Sequence, residues 1–597
     1  MNLNRRIGHK TVLLALLALL LLPGLAGAGE LLEKARRFDS LVAAEHMPRG
    51  LVVNLPPVED GQQLRYRSAG DSTIWTGAYI ASQVYRYRVT SDTTALDNLE
   101  KGLRAFVQLH EMAGGTGFIG RAFGTREELG NSSDIQPGIG SYSQLFFKAD
   151  TSRDQYTGIF MGCALAWPLI RDEQLRRDLQ KMIGAAAQNL KQNNLALKVQ
   201  INGFSPSTFD LNPDYAYQDR ITPEEWAKVD DFPANVFAAA VPYSDRLARI
   251  VARFQPPPVR GGEALRALLM FQTACNITQD PELKAFFNDE LLSRRQLHVT
   301  ASETAQLLSD IYLGRNLPVV ENRLNGVFRA IGKVVVNILA MRAGIPDSLT
   351  LWAEPVTMLP VVCLAQAATG KILKILTFFR QPGAFAVFNL LAEKLEGYAA
   401  SLRMFKAERA AARLQKKATE LRGFAASNID EFSDTMRSYV GCNLGFFALL
   451  GILDQPADPR LQQAALVILP RSFEPIADEA NSMYTFITAA FSGHSVDERL
   501  LKAARQTLQL YPEDQLSRRF DHSQTMRHSL WPDRFGRYGR QSIDLIPINQ
   551  RAPHIFIWQE PPRMLVTGSD DQTRIAPVGY LLAYWFGRFH GLLAATD

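Results

Sequence analysis

The sequence predicts an all-α fold, an α/α toroid built from helical hairpins with a helical insertion in the middle of the chain. Three observations predict it. An apolar helix followed by a polar turn and an amphipathic helix recurs along the chain, and the second helix of each pair opens with the same chemistry. The 597 residues, 47% hydrophobic and 21% charged, can also fill a core larger than an ordinary domain's.

The first hairpin runs from Ile74-Trp75-Thr76-Gly77 through Thr90-Ser91-Asp92-Thr93 into 96–109. The second covers 156–170, turns at Arg171-Asp172-Glu173 and continues to residue 190. The third has 265–276, then Thr278-Gln279-Asp280-Pro281 and a helix from 283. The fourth has 444–453, Pro456-Ala457-Asp458-Pro459 and 461–469; the fifth has 484–491, Ser495-Val496-Asp497-Glu498 and 500–508. Ser, Thr, Asp and Pro at the start of each second helix are N-cap and N1 residues, and acidic groups suit the positive helix end. The first helices are apolar on most sides, as a sandwiched inner layer requires, and the second helices keep one wet face. The same periodicity is also open to an irregular α-solenoid or bundle.

Four parts follow: a signal peptide (1–28), an N-terminal part of the toroid (29–254), a helical insertion (255–422) and a C-terminal part (423–597). Arg5, Arg6 and Lys10 precede the apolar run 12–22, and Ala26-Gly27-Ala28 supplies small residues for cleavage. That run is shorter than the roughly 20 residues a spanning helix needs, so the expectation is a cleaved signal and a periplasmic or secreted protein. An uncleaved anchor is the alternative. In the insertion, Pro256-Pro257-Pro258 marks a linker, and Pro346, Pro360 and Pro382 interrupt its apolar segments. Arg403, Lys406, Arg409, Arg413, Lys416, Lys417 and Arg422 then face only Glu408 and Glu420. Their spacing puts several on one helical face, which reads either as a peripheral contact with an anionic membrane through 403–422 or as a solvated face.

The net charge of +5 is small for this length and argues against a nucleic-acid partner. Cys163, Cys275, Cys363 and Cys442 are too few to staple the chain, and each lies in an apolar stretch. No metal-ligand spacing or cofactor signature is readable.

In a toroid, equivalent ends of successive inner helices converge on one rim. Here those ends share a chemistry: Asp71 to Trp75, Asp150 to Tyr156, Asp434-Arg437-Tyr439 and Glu479 to Tyr484. A carboxylate or amide beside an aromatic ring is what sugar recognition needs, although each Asp taken singly also reads as a helix cap. Asp71 and Asp154 form the acid/base pair expected for glycoside chemistry. Trp75, Gln155, Tyr156, Asn481 and Tyr484 are the expected substrate contacts. The loop Gly114 to Arg121 lacks the lysine of a phosphate-binding loop and instead shapes the rim, with Arg121 facing an acidic substrate. Toward the C-terminus, His522, Arg527, His528 and Trp531 cluster, and Trp585 lies on a final helix. Arginine to neutralise a uronate and His528 to take a proton would suit elimination. Surface histidines and ordinary packing of Tyr584 and Trp585 are the alternatives.

Asp71-Ser72-Thr73-Ile74-Trp75-Thr76-Gly77, the Gly114–Arg121 loop, the stretch 150–158 and Gly579-Tyr580-Leu581-Leu582-Ala583-Tyr584-Trp585 together resemble the six-hairpin glycosidase type of fold. That resemblance implies an α/α toroid acting on a glycan and assigns no catalytic residue. The expected function is a periplasmic enzyme that hydrolyses or eliminates a polysaccharide or oligosaccharide. A non-catalytic glycan-binding or export protein and a membrane- or partner-docking structural protein are the alternatives.

Overall fold

The computed structural model describes residues 29–57, 65–213, 257–312, 441–492, 496–527, 544–556 and 562–595, with isolated positions between 396 and 416 and at 542. The expected signal segment and most of 313–440 lie outside the described residues, as does most of the basic stretch 403–422.

The described chain is mostly helical. Its helices are α1 (Glu30–Leu41), α2 (Ser72–Thr90), α3 (Thr93–Met112), the single turn α4 (Arg126–Leu129), α5 (Arg153–Ala166) and α6 (Glu173–Gln192). Then come α7 (Pro257–Thr278), α8 (Pro281–Ala285), α9 (Leu297–Tyr312), α10 (Gly441–Leu453), α11 (Pro459–Phe473), α12 (Ser482–Ser492), α13 (Glu498–Gln509) and α14 (Val578–Phe589). Strands are minor. β1 (Phe123–Gly124), β2 (Ile135–Pro137) and β3 (Phe146–Lys148) form an antiparallel sheet in the order β1-β3-β2, with Phe147 opposite both Phe123 and Gln136. β4 (Phe520–Asp521) pairs with β5 (Val566–Thr567).

The most buried helices pack on one another. α2 lies on α5 and α14, α5 on α7 and α10, α10 on α7 and α12, and α12 on α14. The amphipathic helices fill in around them. α3 packs on α2, α6 on α3 and α7, α9 on α7 and α11, α11 on α10 and α12, and α1 on α13 and α14. The third hairpin is part of this packing. α7 is apolar on nearly every side, with residues 264, 265, 267–271 and 274 all buried, and such a helix needs neighbours all round.

The second helices of the hairpins are capped as their sequence predicts. The carboxylates of Asp92, Asp172, Asp280, Asp458 and Asp497 each accept from a backbone N–H in the first turn of α3, α6, α8, α11 and α13. The apolar helices α2 and α5 meet more closely. A Cβ on Gly77 of α2 would lie 2.0 Å from the Gly158 carbonyl oxygen of α5, and one on Gly158 would lie 2.5 Å from Ile74 Cα. Only glycine permits that crossing, and it draws the N-terminal ends of α2 and α5 together. Cys163 and Cys275 are free and buried. Among the described residues no helix is long and apolar enough to cross a membrane.

Candidate functional site

The N-terminal ends of α2, α5 and α7 carry a cluster of ionised side chains, built from the α2–α5 crossing and one loop. Asp71 occupies the N-cap position of α2, yet its side chain makes no capping bond. Its Oδ1 instead accepts from Arg121 Nη1 at 3.1 Å and from Gln155 Nε2 at 2.8 Å. Gln155 is wholly buried, and its amide is oriented by Thr73 Oγ1, which donates to Oε1 at 2.5 Å, and by the Ile74 N–H at 3.3 Å. With its oxygen taken, the amide can only offer N–H to Asp71.

The glycine loop aims Arg121. His110 Nε2 accepts from the Gly117 N–H at 3.1 Å, while the Tyr156 hydroxyl donates to Gly117 O at 2.6 Å and accepts from the Ile119 N–H at 3.0 Å. Gly117 has φ +86°, and a Cβ there would strike the Ala185 carbonyl at 2.6 Å. His110 must stay unprotonated to accept, and burial pushes its imidazole down to about 4. Held this way, Arg121 donates to Gly70 O at 2.7 Å as well as to Asp71, and its Nε lies 2.7 Å from Asp150 Oδ2. That last contact is ionic, since the Nε–H is not directed along it.

A second ionic network, at the start of α5 and on α7, is formed by Arg153, Asp154, Glu263 and Arg266. Glu263 Oε1 takes Arg153 Nη1 at 2.5 Å and Arg266 Nη1 at 3.2 Å. Asp154 Oδ1 lies 3.7 Å from Arg266 Nη2 and 4.0 Å from Arg153 Nε, with no hydrogen bond. Asp154 Oδ1, Glu263 Oε2, Asp150 Oδ1 and Thr151 Oγ1 all lack a hydrogen-bond partner. Among the described residues no group of acidic, His or Cys side chains has the geometry to hold a metal ion.

Of the residues expected from sequence, the structure brings together Asp71, Arg121 and Gln155, whereas Asp154 lies against Arg153 and Arg266. The aromatic rings expected to stack on sugar are enclosed instead. Tyr156 and Trp75 are core residues of α5 and α2. Tyr484 stacks on Phe446 at 4.2 Å, and Trp585 is buried with its indole N–H donated to Asp39 Oδ2 at 2.9 Å. Asn481 caps α12 by accepting from the Tyr484 N–H at 3.1 Å. It also borders an open cleft of about 450 Å³, mouth included, with Glu479, Tyr511, Arg551 and Tyr580. His522 lies 2.8 Å from Gln550 O through Nε2, and exposed Arg527 grips Asp544 with two nitrogens, at 3.0 and 3.2 Å. His528 and Trp531 lie outside the described residues.

Sequence reasoning missed Glu263 and Arg266. The signal was available: two opposite charges three residues apart on a helix whose next residues, 267–271, are all apolar. Buried charges of this kind are retained only when paired. Comparison with known proteins adds no relative, since no family model, curated protein or solved structure matches the chain.

Proposed function

We propose that the chain is an exported carbohydrate-active enzyme that hydrolyses a glycan at the N-terminal ends of its inner helices. In this reading α2, α5, α7, α10, α12 and α14 form the inner ring of an α/α toroid of the six-hairpin glycosidase type, and Asp71 and Asp154 are its working carboxylates. The observation that carries the proposal is that Asp71 is withheld from capping its helix and held by Arg121 and a locked Gln155, the residue that follows Asp154 in the chain. A carboxylate used only as a cap would bond its own helix, as the five outer-helix aspartates do.

Hydrolysis is favoured over elimination by the state of Arg121. Its guanidinium is shared among Gly70 O, Asp71 and Asp150, so it positions a carboxylate of the protein rather than neutralising one on a substrate. Incubating the full chain with neutral and uronic-acid polysaccharides tests the proposal. Reducing ends should accumulate without ultraviolet-absorbing unsaturated products. Asp71→Asn and Asp154→Asn should each lower the rate by about 100-fold or more, the scale of general acid–base catalysis, while the fold is retained. Turnover that survives either substitution overturns the assignment.

A further inference from the structure

The cleft beside Asn481 shares no residue with the two ionic networks. It opens between the starts of α12 and α14 and the end of α13, with a volume of about 450 Å³, mouth included. α2, α12 and α14 run in the same direction. Phe491 near the end of α12 packs on Phe586 and His590 near the end of α14, with ring centroids 6.2 and 5.5 Å apart. Tyr85 near the end of α2 packs on the same Phe586 at 5.1 Å. The starts of α2 and α14 are tied by one segment, since Ser72 Oγ donates to Val52 O and the Ala576 N–H donates to Asn54 Oδ1 at 3.2 Å. The cleft and Asp71 therefore open at the same end of these helices.

The lining mixes donors and acceptors and carries no net charge. Its charged residues, Glu479 and Arg551, are each more than nine-tenths buried and bring one charge of each sign. Asn481 gives its oxygen to the cap of α12, which leaves its amide N–H groups for the cleft. Tyr511 is 3% exposed, and its hydroxyl has no hydrogen-bond partner. Burial holds that phenol above its ordinary value against the pull of the Arg551 guanidinium, so it keeps its proton at neutral pH. Its ring meets Tyr580 edge to face at 5.2 Å, and both residues line the cleft. A buried hydroxyl left unpaired costs stability, and a ligand that supplies its partner recovers that cost.

We infer that this cleft is a binding subsite for one neutral sugar unit, a second hold on the glycan apart from Asp71. The choice of a saccharide rests on the proposed glycan-active reading, whereas the preference for a neutral unit comes from the cleft itself. A uronate gains Arg551 but meets Glu479, and an ammonium gains Glu479 but meets Arg551, so neither charge gains on balance. Sugar hydroxyls both donate and accept, which serves Glu479, Arg551, Asn481 and the Tyr511 hydroxyl together. The cleft is open, so one unit can enter while the rest of a chain stays outside.

Calorimetric titration of the full chain with hexasaccharides of β-linked glucose, α-linked glucose, xylose, galacturonate and glucosamine, and with free serine as a zwitterion, tests the inference. Where the unmodified chain cleaves an oligomer, Asp71→Asn serves as the background. At least one neutral hexamer should bind more tightly than both charged ones. Tyr511→Phe should weaken that binding about fivefold, the worth of one hydrogen bond. Its melting temperature should not fall, because the hydroxyl has no partner to lose. Asn481→Asp keeps an acceptor for the α12 cap but removes the amide donors, and should weaken binding by about fivefold or more. No binding of any neutral hexamer, equal or tighter binding of a charged hexamer or of serine, or binding indifferent to both substitutions overturns the inference. Turnover lost in Asp71→Asn, with binding indifferent to Tyr511→Phe and Asn481→Asp, leaves the hydrolase reading standing and removes the subsite. Binding of a neutral hexamer weakened by both substitutions, with no turnover of any polymer, upholds the subsite and removes the hydrolase reading.

Discussion

At the scale of single residues, the α2–α5 crossing depends on glycines that have no substitute. Alanine is about 1 kcal/mol better than glycine inside a helix, so propensity alone would reward Gly77→Ala. The added Cβ would fall 2.0 Å from the Gly158 carbonyl oxygen, and backbone on both sides leaves nothing flexible to give. Overpacking of this kind costs more than propensity returns, and Gly77→Ala should lose roughly 2–3 kcal/mol in urea unfolding. Gly445→Ala is the paired control. Nothing lies within 4 Å of a Cβ there, so the same substitution on α10 should be neutral or stabilising by up to about 1 kcal/mol. Equal effects at the two positions would mean that the close crossing does not form.

At the scale of elements, the first and second helices of the hairpins use the same residue type for different ends. Asp497 accepts from the Leu500 N–H and starts α13, so Asp497→Ala should cost about 1 kcal/mol of stability and leave turnover intact. Asp71 stands at the equivalent place on α2 and makes no capping bond, so its removal should spare α2 and abolish turnover. This contrast was half legible beforehand. The recurring Asp before each second helix announced the outer caps. A string of residues does not say whether Asp71 turns toward its own helix or toward Arg121, fifty positions away, because that choice is made by the loop that Tyr156 and His110 pin.

At the scale of the whole molecule, two buried groups set opposing pH dependences. Asp39 joins α1 to α2 and α14 by accepting from Gln83 Nε2 at 2.7 Å and Trp585 Nε1 at 2.9 Å. Burial pushes its carboxyl up to about 6, against the pull of Arg86 and these donors. The folded chain therefore holds that proton more tightly than the unfolded chain does. Its contribution is complete below the ordinary carboxylate value and is lost as pH rises through about 6. His110, pushed down to about 4 by burial, runs the other way. Its contribution is complete above the ordinary imidazole value and is lost as pH falls through about 4. Each amounts to about 3 kcal/mol, so stability between pH 4 and 6 should be nearly flat. Asp39→Asn should leave a chain that weakens on acidification across that window, and His110→Gln one that weakens on alkalinisation. Melting temperatures measured across it check both, and parallel profiles for the two variants would refute the assignment.

What the sequence determined by itself is everything governed by local rules. Helix periodicity, the Asp-X turns and the apolar character of the first helix in each pair are set within a dozen residues, and each is found where it was expected. The order in which helices pack was decided only by tertiary structure, and so was the fate of the aromatic residues. Tyr156, Tyr484 and Trp585 were chemically suited to binding sugar, but each lies on a helix enclosed by neighbours and is spent on packing or on holding a loop. Charge followed the same division. Asp71 and Asp154 could be picked out as carboxylates at helix ends, whereas Asp71 pairs with Arg121, 50 positions on, and Asp154 with Arg266, about 110 positions on. Pairing across such separations depends on which helices become neighbours, and that is a property of the whole core.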